Sequence, residues 1–188
     1  MHIDILSVTI RGGLTAIRGP VEIAIAAVRD YIENHPFSML YISGNHSRVL
    51  DHLKGDFDVK KVFTVYQIFG ILEDVSHSVV FIEHDPLIYE GIKETRENIR
   101  EDLVKTLSFV MRDAAKGRLI IYFSTTQDVF FDVIARNSDR VLFFEREPGG
   151  YFIADLFGES CGGNGNIRGC RRLHHRFLPM GQTTLQAF

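Results

Sequence analysis

GLTAIRGPVEIAIAAVRDYIENHP, running from Gly13 to Pro36, is the stretch whose reading decides the fold. Gly13–Arg18 is a short apolar segment, Gly19-Pro20 is a turn, and Val21 onward carries helical spacing. A strand that turns on a glycine into a long helix is the frame in which a phosphate-binding loop normally sits. The stretch holds no lysine, and the first one in the chain is Lys54. The frame is therefore present without its usual cation.

Outward from this unit the pattern repeats. FSMLYISG, SVVFIEH, RLIIYFSTT, RVLFFERE and YFIADLFG are apolar runs rich in Val, Ile, Phe and Tyr. They do not alternate strictly, which suits strands covered on both faces. Helical patterns lie between them: NHSRVLDHLKG with Gly55 as its stop, VYQIFGILEDVS, and a long one from Tyr89 to Gly117 with Ile99, Leu103, Leu107 and Met111 at four-residue steps. Alternating strands and helices predict an α/β fold, a doubly wound and mainly parallel sheet. Glu-Pro-Gly-Gly between the last two apolar runs predicts that the sheet ends in an antiparallel C-terminal hairpin.

The 188 residues suit a single core, and the 45% hydrophobic and 24% charged fractions are ordinary for a globular chain. The N-terminus has no secretory signature, and no apolar run reaches the roughly 20 residues of a membrane span, so no membrane partner is expected. Cys161 and Cys170 are the two cysteines. With His174 and His175 they do not match a common zinc spacing, so no metal is expected, and a cytoplasmic location fits. The net charge of −3 divides unevenly: Arg168, Arg171, Arg172 and Arg176 follow the last acid, Glu159, so the tail sums to +4 and residues 1–159 to −7. Three segments follow: a core over 1–158, a flexible basic linker rich in Gly and Arg over 159–180, and a tail over 181–188.

The order of elements over roughly residues 10–158 resembles the RecA/RadA/KaiC family of ATPases, especially short archaeal RadA paralogs that carry the ATPase core alone. On the family's phosphate-loop pattern, Gly19 matches the first glycine. Ala24 stands at the second glycine, Ile25 at the lysine and Ala26 at the threonine. Ala24 brings a Cβ into a tight turn, Ile25 offers no charge to a triphosphate, and Ala26 cannot ligate Mg²⁺. Asn45, in YISGNHS, takes the place of the family's water-activating glutamate and cannot accept a proton as a carboxylate does. SVVFIEHDP resembles the Walker B strand, with Glu83 at the carboxylate and Asp85 two residues on. IYFSTTQD resembles the polar sensor strand, with Gln127 as its glutamine. The resemblance implies a RecA-like core whose hydrolysis is lost and no retained ATP or Mg²⁺ cofactor. The alternative for Glu83, Asp85 and Gln127 is a set of strand-end polar residues facing solvent. The family's rings and filaments use an N-terminal segment, and this chain starts almost directly at the core, so a monomer is expected.

The chain closes on MGQTTLQAF. Gln182, Leu185 and Phe188 are spaced i, i+3, i+6, which aligns them on a 3₁₀-like turn. The pattern resembles the PIP box, through which replication and repair proteins bind the sliding clamp PCNA, and Thr184-Leu185 fits its archaeal form. It departs by having one terminal aromatic instead of two. The resemblance implies a clamp-binding, nucleoid-associated accessory protein of replication or repair, whose core engages a further partner. The alternative is a nucleotide-binding RadA paralog acting in recombination. Arg168, Arg171, Arg172 and Arg176 are positioned for sequence-independent DNA contacts, or simply keep a solvated linker extended.

Overall fold

The computed structural model describes residues 2–6, 8–92, 97–148, 150–157 and 172–179. The chain opens with an antiparallel hairpin of β1 (His2–Ile5) and β2 (Val8–Arg11). There follow β3 (Gly13–Arg18), α1 (Val21–Asn34), β4 (Met39–Ser43), β5 (Asp58–Lys61), α2 (Val65–Glu73) and β6 (Val79–Glu83). The remainder is α3 (Glu97–Ala114), β7 (Leu119–Ser124), α4 (Val129–Arg136), β8 (Arg140–Glu147), β9 (Gly150–Phe157) and β10 (Arg172–Pro179). Leu50–His52 and Pro86–Ile92 are 3₁₀ turns.

The main sheet has eight strands in the order β10-β9-β8-β3-β7-β6-β4-β5. The six from β8 to β5 are mutually parallel, and β9 and β10 add antiparallel neighbours. The mainly parallel sheet and its C-terminal hairpin are thus as the sequence predicts. Apolar runs without strict alternation are explained by burial on both faces. Leu14, Ala16, Leu40, Ile42, Val80, Ile82 and Ile120 point into one core with α2, α3 and α4. Ile17, Met39, Tyr41, Val79, Phe81 and Ile121 point into a second core with α1 and the β1–β2 hairpin. Tyr41 and Phe81 stack there with centroids 5.1 Å apart. The hairpin buries Ile3, Ile5, Val8 and Ile10 and turns His2, Asp4, Thr9 and Arg11 outward, a period of two over strands of four residues.

Three expectations change. NHSRVLDHLKG is an irregular segment of bends and turns around one 3₁₀ turn; Val49 is buried and Leu50 and Leu53 pack on the core that α1 covers, so tertiary burial overrides its helical spacing. The long helix anticipated from Tyr89 begins at Glu97, after a separate 3₁₀ turn. The basic linker over 159–180 is not wholly a linker: Arg172 to Pro179 form β10, registered on β9 from Arg172 opposite Leu156 to Pro179 opposite Gly150. The exposed backbone edge of β9 supplies the hydrogen bonds that order it. Among the described residues, no helix is long and apolar enough to cross a membrane.

One ion pair ties the hairpin layer to the sheet. Arg140 on β8 donates from Nε to Asp155 Oδ1 at 2.9 Å and from Nη2 to Asp155 Oδ2 at 2.5 Å. Its Nη1 donates to the Thr9 carbonyl at 2.7 Å. Both side chains are almost wholly buried. Removing one partner of such a pair is costly, because the remaining charge keeps its desolvation penalty. Asp155→Ala is expected to cost about 3 kcal/mol in urea unfolding. Asp113→Ala, which breaks the exposed pair with Lys116, is expected to change stability by less than about 0.5 kcal/mol.

Candidate functional site

The site lies at the carboxyl ends of the parallel strands. β3 continues into α1 on one face of the sheet, while its neighbour β7 continues into α4 on the other. Where adjacent strands send the chain to opposite faces, a crevice opens, and doubly wound sheets bind ligands there. Arg18, the last residue of β3, occupies it. Its Nη1 donates to Gln127 Oε1 at 2.5 Å and its Nη2 to Glu145 Oε1 at 2.7 Å. The guanidinium lies 5.1 Å from the Phe143 ring centroid. Gln127 Nε2 in turn donates to Asp132 Oδ1 at 2.9 Å. Side chains from β3, β8, the β7–α4 loop and α4 thus bridge the crevice.

Between β3 and α1 stand only Gly19 and Pro20. A phosphate cradle needs several free amides on a curled loop. Here the Gly19 N–H donates to the Ser124 carbonyl at 3.0 Å, Pro20 has no N–H, and the Ile23 N–H returns to the Pro20 carbonyl at 3.1 Å. Gly19 also lies against Phe144, where a Cβ would come within 3.0 Å of that side chain's own Cβ. Ala24, Ile25 and Ala26 are therefore not loop positions, as the phosphate-loop alignment has them, but part of the first two turns of a 14-residue helix. Ala24 is buried, Ile25 is partly buried against the second core and Ala26 faces outward. The apolar face of α1 is what places them there.

Glu83 ends β6 and is partly buried. Its Oε2 accepts the Tyr41 hydroxyl at 2.9 Å and the Ser47 hydroxyl, and the Arg48 backbone N–H also donates to the carboxylate. Burial raises its pKa above the ordinary carboxylate value, and the nearby Asp85 charge adds to the rise; the three donors offset part of it. Burial and the Glu83 charge likewise push the Tyr41 phenol far up, so it stays a neutral donor. Asp85 accepts the Leu87 N–H at 2.9 Å and is pressed against Gly44, where any Cβ would overlap its carboxylate. Asn45 is exposed beyond β4. Of the three residues that could be strand-end polar groups facing solvent, Gln127 is exposed, while Glu83 and Asp85 are partly buried.

Between Glu83 and Asp85 stands a residue the spacing did not single out. His84 is buried, with Nε2 2.8 Å from Asp128 Oδ2 and Nδ1 2.5 Å from the Tyr122 hydroxyl. Tyr122 lies 2.9 Å from the Tyr89 hydroxyl. Nε2–H donates to the Asp128 carboxylate, and Nδ1 continues the hydrogen-bonded chain through the Tyr122 and Tyr89 hydroxyls. Burial drives both phenols upward and keeps them neutral. Burial also pushes Asp128 up, but the His84 hydrogen bond and the Phe131 and Phe130 N–H groups outweigh it and hold its carboxyl below the ordinary value. Asp128 is simultaneously the N-cap of α4, accepting the Phe131 N–H at 2.8 Å. The chain of four groups binds β6, β7, the Pro86–Ile92 turn and α4 together. The sequence signal was Asp128 directly before an apolar helix; its partner was visible only in space.

Gln182, Thr184, Leu185 and Phe188 lie outside the described residues, as do Arg168, Arg171, Cys161 and Cys170. Arg172 and Arg176 are in β10, opposite Leu156 and Ile153. The strand runs parallel to β8, so Pro179 delivers the chain to the sheet edge that carries Arg18 and Glu83. Among the described residues, no group of three His, Cys, Asp or Glu side chains is arranged to hold a metal ion.

No protein-family model matches the chain. An uncharacterized protein of Archaeoglobus fulgidus is 35% identical over 188 residues, covering 99% of this chain and 88% of the relative.

Because the Glu83 pKa is raised in the folded state, folding favours the protonated acid. The stability this carboxyl contributes is present below its ordinary value near 4.5 and is lost as pH rises through the folded value. Glu83→Gln is expected to be more stable than the parent at neutral pH, with the gap closing on acidification below pH 4.5. Thermal unfolding across that range checks the sign. Gly44→Ala is expected to expel Asp85 from its turn and to lower stability by about 1–3 kcal/mol.

Proposed function

The chain belongs to one family with the Archaeoglobus fulgidus protein, and from that premise we propose that it is a non-catalytic accessory protein of DNA replication or repair. In this reading a RecA-like core, emptied of its ATP chemistry, is brought to the sliding clamp PCNA by the peptide Gln182–Phe188. The observation that carries the proposal is the triad Gln182, Leu185 and Phe188, one amide and two apolar anchors at three-residue steps. They follow within a few residues of β10, which ends at Pro179. A core tethered so closely holds its carboxyl-end surface toward whatever the peptide grips.

The core's own geometry supports a scaffold over an engine. A two-residue turn replaces the phosphate loop, and Arg18 is committed to Gln127 and Glu145. Glu83 is saturated by donors from Tyr41, Ser47 and Arg48. The doubly wound sheet with β3 inside it supports the RecA-like reading at the level of architecture, and architecture alone does not assign chemistry. The basic residues Arg168, Arg171, Arg172 and Arg176 would add salt-dependent attraction to DNA passing through the clamp.

A nucleotide-binding RadA paralog is the second reading, favoured by Glu83, Asp85 and Gln127 at neighbouring strand ends. It requires the crevice to open for Mg²⁺-ATP, and calorimetry with the full chain distinguishes the two. Micromolar binding of Mg²⁺-ATP would establish the second reading. For the first, Leu185→Ala/Phe188→Ala is expected to weaken binding to archaeal PCNA by at least about 2 kcal/mol, the loss typical of a buried anchor. An unchanged affinity in the double variant would overturn clamp binding.

A further inference from the structure

The eight-stranded sheet ends on β5, which pairs with β4 and has no neighbour on its other side among the described residues. All four of its residues are exposed. An open edge carries unpaired N–H and C=O groups that template another strand. Close to it in the chain stand four of the seven large apolar side chains that the described residues leave exposed: Val59 at 40%, Phe37 at 69%, Phe63 at 62% and Tyr66 at 63%. Phe37 is fixed to the segment before β5 by its N–H bond to the Asp56 carbonyl at 2.9 Å. Phe63 follows two residues after the strand, with its N–H on Gln67 Oε1 at 2.6 Å, and the Tyr66 ring lies 6.2 Å from that of Phe69. Exposed apolar side chains before, on and after an open strand are surface that a pairing partner would cover.

The charges choose the partner. Asp56 and Asp58 balance Lys60 and Lys61 in and just before β5, and all four are exposed. A nucleic acid would meet no net positive field there. The order within β5 is instead self-complementary. In an antiparallel pair, directly opposed residues share a face. A two-fold axis through Val59 sets Val59 against its own copy, Asp58 against Lys60 of the second copy, and Lys60 against that copy's Asp58. Moving the axis to Lys60 would oppose two lysines, so the register is specified. Asp58 Oδ2 lies 2.7 Å from His77 Nε2, and the Asp58 side chain remains largely exposed. Asp58 and Lys60 lie beside Leu40 and Ile42, on the sheet face that α2 covers, so Tyr66 flanks the same junction.

We infer that β5 pairs antiparallel with β5 of a second copy of this chain, about a two-fold axis at Val59, extending one sheet across a dimer. The contact is isologous, so it closes at two copies. It replaces the monomer expected from the sequence and does not depend on clamp binding. Sedimentation equilibrium of the full chain tests it. The wild type is expected at twice the chain mass. Asp58→Lys and Lys60→Asp each place like charges at both symmetry-related pairs and are expected to weaken dimerisation about tenfold. An equimolar mixture of the two variants restores both opposite-charge pairs and is expected to recover the dimer, which also shows that both variants fold. A wild type that stays monomeric to its solubility limit, a dimer indifferent to either substitution, or a mixture that fails to recover would overturn the inference.

Discussion

The turn at Gly19-Pro20 is the constraint on which the rest of the structure depends. Gly19 fits between the Phe144 side chain and the Ser124 carbonyl, where an added Cβ would press on Phe144 at 3.0 Å. Pro20 then fixes the entry into α1 without offering an amide. The helix starts at once and lays Ile23, Ala24, Ala27 and Val28 onto the sheet. The gain is a tightly sealed second core. The consequence is that the strand-to-helix junction cannot curl around phosphates.

With that junction closed, the carboxyl-end crevice is organised by polar contacts within the protein. Arg18 is shared between Gln127 and Glu145, while Glu83 draws on Tyr41, Ser47 and Arg48. His84 links Asp128 to two buried phenols. The buried carboxylate, imidazole and phenols of these networks have partners inside the fold, as a low-dielectric interior demands, while Ser43 Oγ and His77 Nδ1 are buried without one among the described residues. Such satisfied networks stiffen the strand ends and hold the surface in one shape.

Much of this was legible in the residues. The runs around Tyr41, Phe81, Ile121 and Leu142 announce strands buried on both faces, because continuous apolarity has no solvent side. Glu-Pro-Gly-Gly marks the β8–β9 reversal. The segment around Val49 and Leu50 misled because its apolar spacing serves packing on the core that α1 covers, not a helix of its own. β1, β2 and β5 escaped notice because four residues carry too little period to stand out. β10 escaped because a strand at a sheet's margin is stabilised by its neighbour's backbone, which leaves no mark on its own side chains.

Alone, the sequence determined the alternation of strands and helices, the absence of a lysine before Lys54, and the spacing of Gln182, Leu185 and Phe188, since each is a local matter of residue type and interval. The tertiary structure decided that Ala24, Ile25 and Ala26 are helical, that His84 meets Asp128 across 44 positions, and that Asp58 and Lys60 stand on a strand that the described residues leave unpaired on one side. Those facts depend on which strands become neighbours. That choice is made by the collective burial of two core faces, a quantity no short interval of the chain contains.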